Sequence, residues 1–180
     1  MIKLIINADD FGYSYLFNKM ILDLIEEKSV TSTSVIVDFI DKKQKEQVRK
    51  LISLSKNGFV SIGLHIDFKN INFRDEIERQ FHKFKNIFEF KPSHIDIHKI
   101  TYLEEGYPMI QKFCKEKEIP CKTLSGLGKE SIINDGLITT KKPTFSGTHK
   151  SFNEIKKWLK SLKNGFYAIN LHPGYYDSNS

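Results

Sequence analysis

The sequence predicts an α/β fold on a mostly parallel sheet, and three observations carry that prediction. Short apolar or β-branched runs alternate with longer stretches of helical period along most of the 180 residues. No Pro/Gly/Ser-rich linker or internal repeat interrupts the alternation, so a single domain over residues 1–180 is expected. Finally, polar residues able to do chemistry stand at the C-terminal ends of the apolar runs, where α/β folds gather their sites.

Each element has its own signal. Ile2, Leu4, Ile5 and Ile6 form a short apolar segment, expected as a strand buried on both faces, which stops on Asn7, Asp9, Asp10 and Gly12. Ser14 is placed to cap a helix over residues 15–28, with Leu16, Met20, Ile21, Leu24 and Ile25 on one stripe. Residues 31–37 are rich in β-branched side chains and read as strand. Residues 41–56 carry Val48, Leu51, Ile52 and Leu54 in a polar background, the pattern of a surface helix ending before Asn57-Gly58. A strand follows over residues 60–66. Within residues 73–90, Ile77, Phe81, Phe84 and Phe88 recur at helical spacing, and Pro92 ends the helix before a strand over 94–98. A helix over 104–117 leads to a short strand near 120–124. Residues 125–150 hold four glycines, a proline and few periodic apolar positions, and are expected as an irregular loop. Residues 151–162 return to helix, with Phe152, Ile155, Trp158, Leu159 and Leu162 on one face, and residues 166–171 form a last strand before His172-Pro173-Gly174.

Composition narrows the class. With 39% hydrophobic and 28% charged residues the chain is expected to be an ordinary soluble protein. A net charge of +6 invites a nucleic-acid reading, but the lysines are interleaved with acids, as in Lys42-Lys43-Gln44-Lys45-Glu46 and Lys115-Glu116-Lys117-Glu118. Dispersed lysine marks solvated helix faces, so no nucleic-acid partner is expected. The N-terminal residues form neither a signal peptide nor a membrane span, which makes the cytoplasm the expected compartment, without membrane attachment. Cys114 and Cys121 stand seven apart with no pairing pattern, and read as reduced thiols.

The chemistry begins with the acid pair. Adjacent side chains of a strand point to opposite sides, so one carboxylate could bind a cation while the other, turned by the Gly12 loop, serves as a base; alternatively, either could cap the following helix. Three of the six histidines add weight to the first choice. His65, His98 and His172 each end an expected strand, and in a parallel sheet these ends share one edge. An Asp with two His, leaving positions open for water and substrate, suits zinc or another divalent ion. His94 and Asp96 alternate onto the strand face of His98 and could orient a ligand. His82 and His149 are expected in solvent.

Five strings, in order, resemble the YdjC family of carbohydrate deacetylases: Asn7-Ala8-Asp9-Asp10-Phe11-Gly12, Val30-Thr31-Ser32-Thr33-Ser34, Gly63-Leu64-His65, Pro92-Ser93-His94-Ile95-Asp96-Ile97-His98 and His172-Pro173-Gly174. The resemblance implies a (β/α) barrel-like fold with a parallel sheet, here an incomplete or distorted TIM-type barrel. It also implies a divalent-metal-dependent hydrolase that removes acetyl groups from N-acetylated sugars such as chitooligosaccharides and diacetylchitobiose. Carried onto this chain, Asp10, His65 and His98 would hold one metal ion, magnesium or zinc, with Asp9 as general base and His172 as general acid. Phe11, Tyr102 and Tyr175 lie just beyond strand ends and are the expected substrate contacts. Tyr13, Tyr107 and Tyr176 lie there too, and rim or core packing suits any of these rings equally. The arginine- and glutamate-containing helix expected after His172-Pro173-Gly174 is missing, so the expectation is either a domain truncated at its C-terminus or an incomplete barrel. An incomplete barrel leaves a sheet edge to be covered, and a homodimer is the expected cover.

The reaction asks for the same residue types. An acetamide is a poor electrophile, so a bound cation helps by polarising its carbonyl and by lowering the pKa of water. A carboxylate beside that water can take its proton, and a histidine, with an ordinary pKa of about 6.5, can protonate the leaving amine. Two rivals are a metal-dependent hydrolase of another small substrate such as a phosphoester, and a noncatalytic sugar-binding relative. Against the first, the sequence has no glycine-rich phosphate cradle.

Overall fold

The computed structural model describes residues 1–98, 103–121, 145–146 and 151–174. Six parallel strands form one sheet in the order β4-β3-β2-β1-β6-β5. They are β1 (Ile2–Phe11), β2 (Ser32–Val35), β3 (Ser61–Ile66), β4 (Ile95–Ile97), β5 (Phe145–Ser146) and β6 (Gly165–Leu171). Among the described residues, five α-helices connect them: α1 (Tyr15–Glu26), α2 (Lys45–Lys56), α3 (Phe73–Phe88), α4 (Leu103–Lys117) and α5 (Phe152–Ser161). The result is an α/β, incomplete barrel-like fold: the sheet runs from β4 to β5, and β6 returns beside β1.

The helices end where local chemistry ends them. Ser14 caps α1 by accepting from Phe17 N, and Ser151 and Glu154 form a reciprocal capping box on α5. On α3 the expected stripe of Ile77, Phe81, Phe84 and Phe88 is buried. Asp41 caps a single 3₁₀ turn, Lys42–Gln44, so the helix expected from residue 41 begins as α2 at Lys45.

Strand register divides the sheet into an apolar and a polar face. Ala8, Val35, Ile62, Leu64, Ile66, Ile95 and Ile97 belong to the core formed with the helices. The opposite face carries Asn7, Ser32, Ser34, Gly63, His65, Asp96 and Asn170, as the pairs Asn7↔Ser32, Asn7↔Asn170, Ser34↔Gly63 and His65↔Asp96 require. This corrects the reading of β1 as apolar and buried on both faces. Its apolar beginning is exposed or half-buried, whereas the polar stretch from Asn7 onward is buried. The reason is register: β2 pairs with β1 only from Asn7 on, so residues 2–5 have β6 as their paired strand, and Ile6 gains Thr31, whose N–H donates to Ile6 O at 3.0 Å.

Two further corrections concern the last third of the chain. The irregular loop expected over 125–150 contains β5, whose Phe145 and Ser146 pair with Ile169 and Asn170. Two residues are too short for a period to show, and the pairing is supplied by β6. Helix α5 has no fully buried residue, and Phe152 on its expected inner face is 76% exposed. Of the strand expected near 120–124, Cys121 makes a single parallel bridge to Ile95, and residues 122–124 lie outside the described ones. Cys114 and Cys121 are both buried and not joined in a disulfide. No described helix is long and apolar enough to cross a membrane.

One ion cluster fixes the loop after β2. Asp38 receives both terminal nitrogens of Arg79, at 2.9 and 2.5 Å, together with Lys83 and Lys69, each at 3.0 Å. Arg79 leads in holding the Asp38 carboxyl well below the usual carboxylate range, against burial that would raise it. A depressed carboxylate stabilises the fold above its unfolded value and loses that contribution as pH falls through the folded one. Asp38→Ala is therefore expected to cost about 1–2 kcal/mol at pH 7, discounted because its cationic partners are half in solvent. The deficit should shrink as urea melts are repeated from pH 7 down to about 3; a pH-independent deficit would assign it to packing.

Candidate metal centre

The acid pair closes β1 in an unusual backbone. Between Ala8 and Phe11 the register shifts by one residue against β2, and Asp10 takes a left-handed φ of 72°. The bulge overrides the alternation of an extended strand, so both carboxylates reach toward histidines: Asp10 toward His65 of β3 and His98 after β4, Asp9 toward His172 after β6. The turn thus starts at Asp10 itself, two residues before the expected pivot at Gly12. Gly12 adds a second constraint: φ is 103°, and a Cβ there would sit 2.7 Å from Ile36 O. Asn18 Oδ1 accepts from Gly12 N at 2.6 Å and Gln44 Nε2 donates to Gly12 O at 3.0 Å, so α1 and the turn before α2 pin this loop.

Around Asp10 Oδ1 stand His98 Nδ1 at 2.9 Å and His65 Nε2 at 3.3 Å. All three atoms are buried, and none makes a hydrogen bond of good geometry. Buried polar atoms without partners are rare, and three that face one another mark a place for a shared ligand. A divalent ion bound at about 2.1 Å by ligands set 90–109° apart would hold them about 3.0–3.4 Å from one another, in keeping with these separations. The donor set of one carboxylate and two imidazoles suits zinc and other divalent metals.

Electrostatics support the same use. Burial alone would raise the Asp10 carboxyl, but the adjacent His65 and His98 imidazoles prevail and hold it well below the usual carboxylate range. Burial likewise opposes the His65 cation, yet Asp96, with Asp10 and Asp9, outweighs it and pushes the imidazole up to about 10. Asp96 Oδ1 lies 2.5 Å from His65 Nδ1 and fixes that nitrogen as the N–H, which leaves Nε2 as the atom facing Asp10.

Asp9 and His172 lie to one side of this cluster. Asp9 Oδ1 accepts a short hydrogen bond from Asn7 Nδ2, and Asp9 Oδ2 is 3.7 Å from His172 Nε2. Asp9 is buried while the His172 side chain is 39% exposed, so the pair joins the centre to solvent. His94, expected to orient a ligand, contacts Ser34 and Ser93 instead, and its ring fills the space that a side chain at Gly63 would need. Phe11 is wholly within the core and presents no ring face to a substrate, because its buried side chain packs in the apolar core. Tyr102, Tyr175, Tyr176 and His149 lie outside the described residues, and His82 is exposed. Phe39, which the strand ends did not single out, meets His98 edge-on at 6.2 Å, and Tyr13, which they did, links Phe39 to Phe17. Asn7 and Ser34 were also missed, since each reads as an ordinary polar strand residue until its contacts are known.

Fold and site together define an α/β barrel-like protein with an Asp/His/His cluster at the C-terminal edge of its parallel sheet. The family described as YdjC-like protein matches in two overlapping stretches, residues 3–72 and 44–180, and the chain belongs to that family. No curated protein sequence matches it. Among solved structures, a provisionally named cellobiose-phosphate cleavage protein of Enterococcus faecalis aligns with a TM-score of 0.72 at 16% identity, over 98% of this chain and 82% of its own. A peptidoglycan N-acetylglucosamine deacetylase, Bc1960, aligns at 0.60 and 13%, over 96% and 72%. A family 4 carbohydrate esterase pseudoenzyme of Bacillus anthracis aligns at 0.56 and 9%, over 96% and 55%. At these identities the likeness concerns the fold, which serves deacetylases and a pseudoenzyme alike.

Proposed function

We propose that the chain is a metal-dependent hydrolase that removes the acetyl group from an N-acetylated sugar. The observation that carries this reading is the convergence of three buried atoms, on Asp10, His65 and His98, that make no hydrogen bond of good geometry, beside an Asp9–His172 pair that opens to solvent. Asp10, His65 and His98 would hold a divalent cation, which when bound would supply polarisation of the amide carbonyl and a lower pKa for water. Asp9, oriented by Asn7, accepts a proton from the attacking water. His172, the more exposed partner, gives a proton to the amine nitrogen as the C–N bond breaks, so that acetate and a free amine leave. Asp96 keeps His65 Nε2 turned toward Asp10.

A phosphoester substrate fits less well. Among the described residues, the other cluster able to gather a cation is Asp9, His65 and Asp96, and a two-metal site would make His65 serve twice and take Asp9 from the base position. Acetate release from N-acetylglucosamine oligomers is the test. Release that stops with chelator and returns with added metal is expected. Hydrolysis of phosphoesters without acetamides would favour the rival enzyme, and sugar binding without turnover would make the chain a noncatalytic relative.

A further inference from the structure

Ser34, fully buried on β2, occupies the middle of the polar sheet face. Its Oγ lies 3.1 Å from Asn7 Nδ2, 3.0 Å from Asp96 Oδ2 and 2.9 Å from His94 Nε2. A hydroxyl has one proton to give and two lone pairs to offer. Asn7 approaches with its amide N–H and the Asp96 carboxylate accepts only, so the Ser34 proton goes to Asp96. The lone pairs then receive Asn7 and His94. This assigns the His94 proton to Nε2 and leaves Nδ1 to accept from Ser93 Oγ, 3.0 Å away. Asn7 uses the same amide nitrogen to donate to Asp9, and Asp96 uses its other oxygen to receive His65 Nδ1.

We infer that Ser34 is a positioning residue for both halves of the centre. Through Asn7 it sets the carboxylate of Asp9, and through Asp96 it sets the imidazole of His65. It is not among the converging Asp10, His65 and His98 atoms. One hydroxyl thereby ties the orientation of the proton acceptor to that of a metal ligand. Removing the oxygen deprives the Asn7 amide, the His94 N–H and Asp96 Oδ2 of a shared buried partner, and all three must readjust.

This inference rests on the cation site proposed above, and Co²⁺ is the probe that separates the two. Co²⁺ titration should show tight binding and a visible d–d spectrum in the parent protein. Ser34→Ala is expected to weaken Co²⁺ binding about 10- to 100-fold, the range for groups that orient a ligand, and to alter the spectrum as His65 reorients. In the metal-loaded protein kcat for acetate release should fall while KM stays within about twofold, because Ser34 acts on the reacting groups and away from the sugar. Ser34→Cys keeps the side-chain shape with a weak donor and should fall between the two; it decides the question if the alanine variant does not fold. Parent-like Co²⁺ affinity and spectrum in the folded variants would overturn the role of Ser34 alone. A parent protein that does not bind Co²⁺ would overturn the cation site and this inference with it.

Discussion

Asp10→Asn is expected to lower divalent-metal affinity by more than about 100-fold, beyond the 10- to 100-fold typical of groups that only orient a ligand. The carboxylate provides the single negative charge in a set whose other members are neutral imidazoles, and its Oδ1 faces both of them, at 2.9 and 3.3 Å. A counter-effect works in the metal's favour. Burial opposes the His65 cation, but Asp96, Asp10 and Asp9 keep the imidazole protonated up to about pH 10 in the metal-free protein, so removing Asp10 makes that proton easier to displace. The lost ligand outweighs this relief, because Asp96 still holds His65 on the other side. The proton also sets a pH dependence. Below about 10 a metal must displace it, so affinity should tighten as pH rises from 6 to 9. The stability linkage has the opposite sense: a raised histidine stabilises the metal-free fold fully below the unfolded value of 6.5, and that contribution fades as pH rises through about 10. Calorimetric titration in buffers of different ionisation heat measures both affinity and proton release. Unchanged metal occupancy in Asp10→Asn and His98→Ala would remove both from the ligand set.

What the sequence made legible depended on how far each residue's role was local. A strand-end Asp or His announces itself because strands of a parallel sheet share one edge, and this predicted the meeting of Asp10, His65 and His98, whose ligand atoms lie within 4.8 Å of one another. The stripe on α3 was legible because helical period is a one-dimensional signal. The backbone of Asp10 was not: alternation places Asp9 and Asp10 on opposite sides, and only the bulge against β2 with its positive φ turns both inward. Ser34 and Asn7 were hidden for a related reason. Their roles lie in contacts across 27 and 62 positions of sequence, from Asn7 to Ser34 and from Ser34 to Asp96, which no local pattern encodes. Phe11 illustrates the reverse error, a ring placed at the substrate by its position beyond the acids, yet drawn into the core because β1 continues through it. The two-residue β5 escaped because its stabilising partner is β6, far along the chain.

Asp9→Asn should separate the second acid from the first. Turnover is expected to fall by about 10²–10⁴, the contribution of a positioned general base, with KM little changed. The asparagine can still accept from the Asn7 amide through its oxygen, so the local hydrogen bond and the fold survive, but an amide cannot take a proton from water. Metal binding discriminates further. Asp9 is not among the three converging atoms, and its charge is one of those that favour the His65 proton over a metal. Removing that charge should leave affinity unchanged or slightly tighter, opposite in sign to Asp10→Asn. Two neighbouring carboxylates, each changed by the same substitution of one oxygen for an NH₂ group, are thus expected to move turnover alone in one case and metal affinity in the other. Full acetate release by Asp9→Asn would exclude it as the base, and loss of metal in parallel with turnover would place it among the ligands instead.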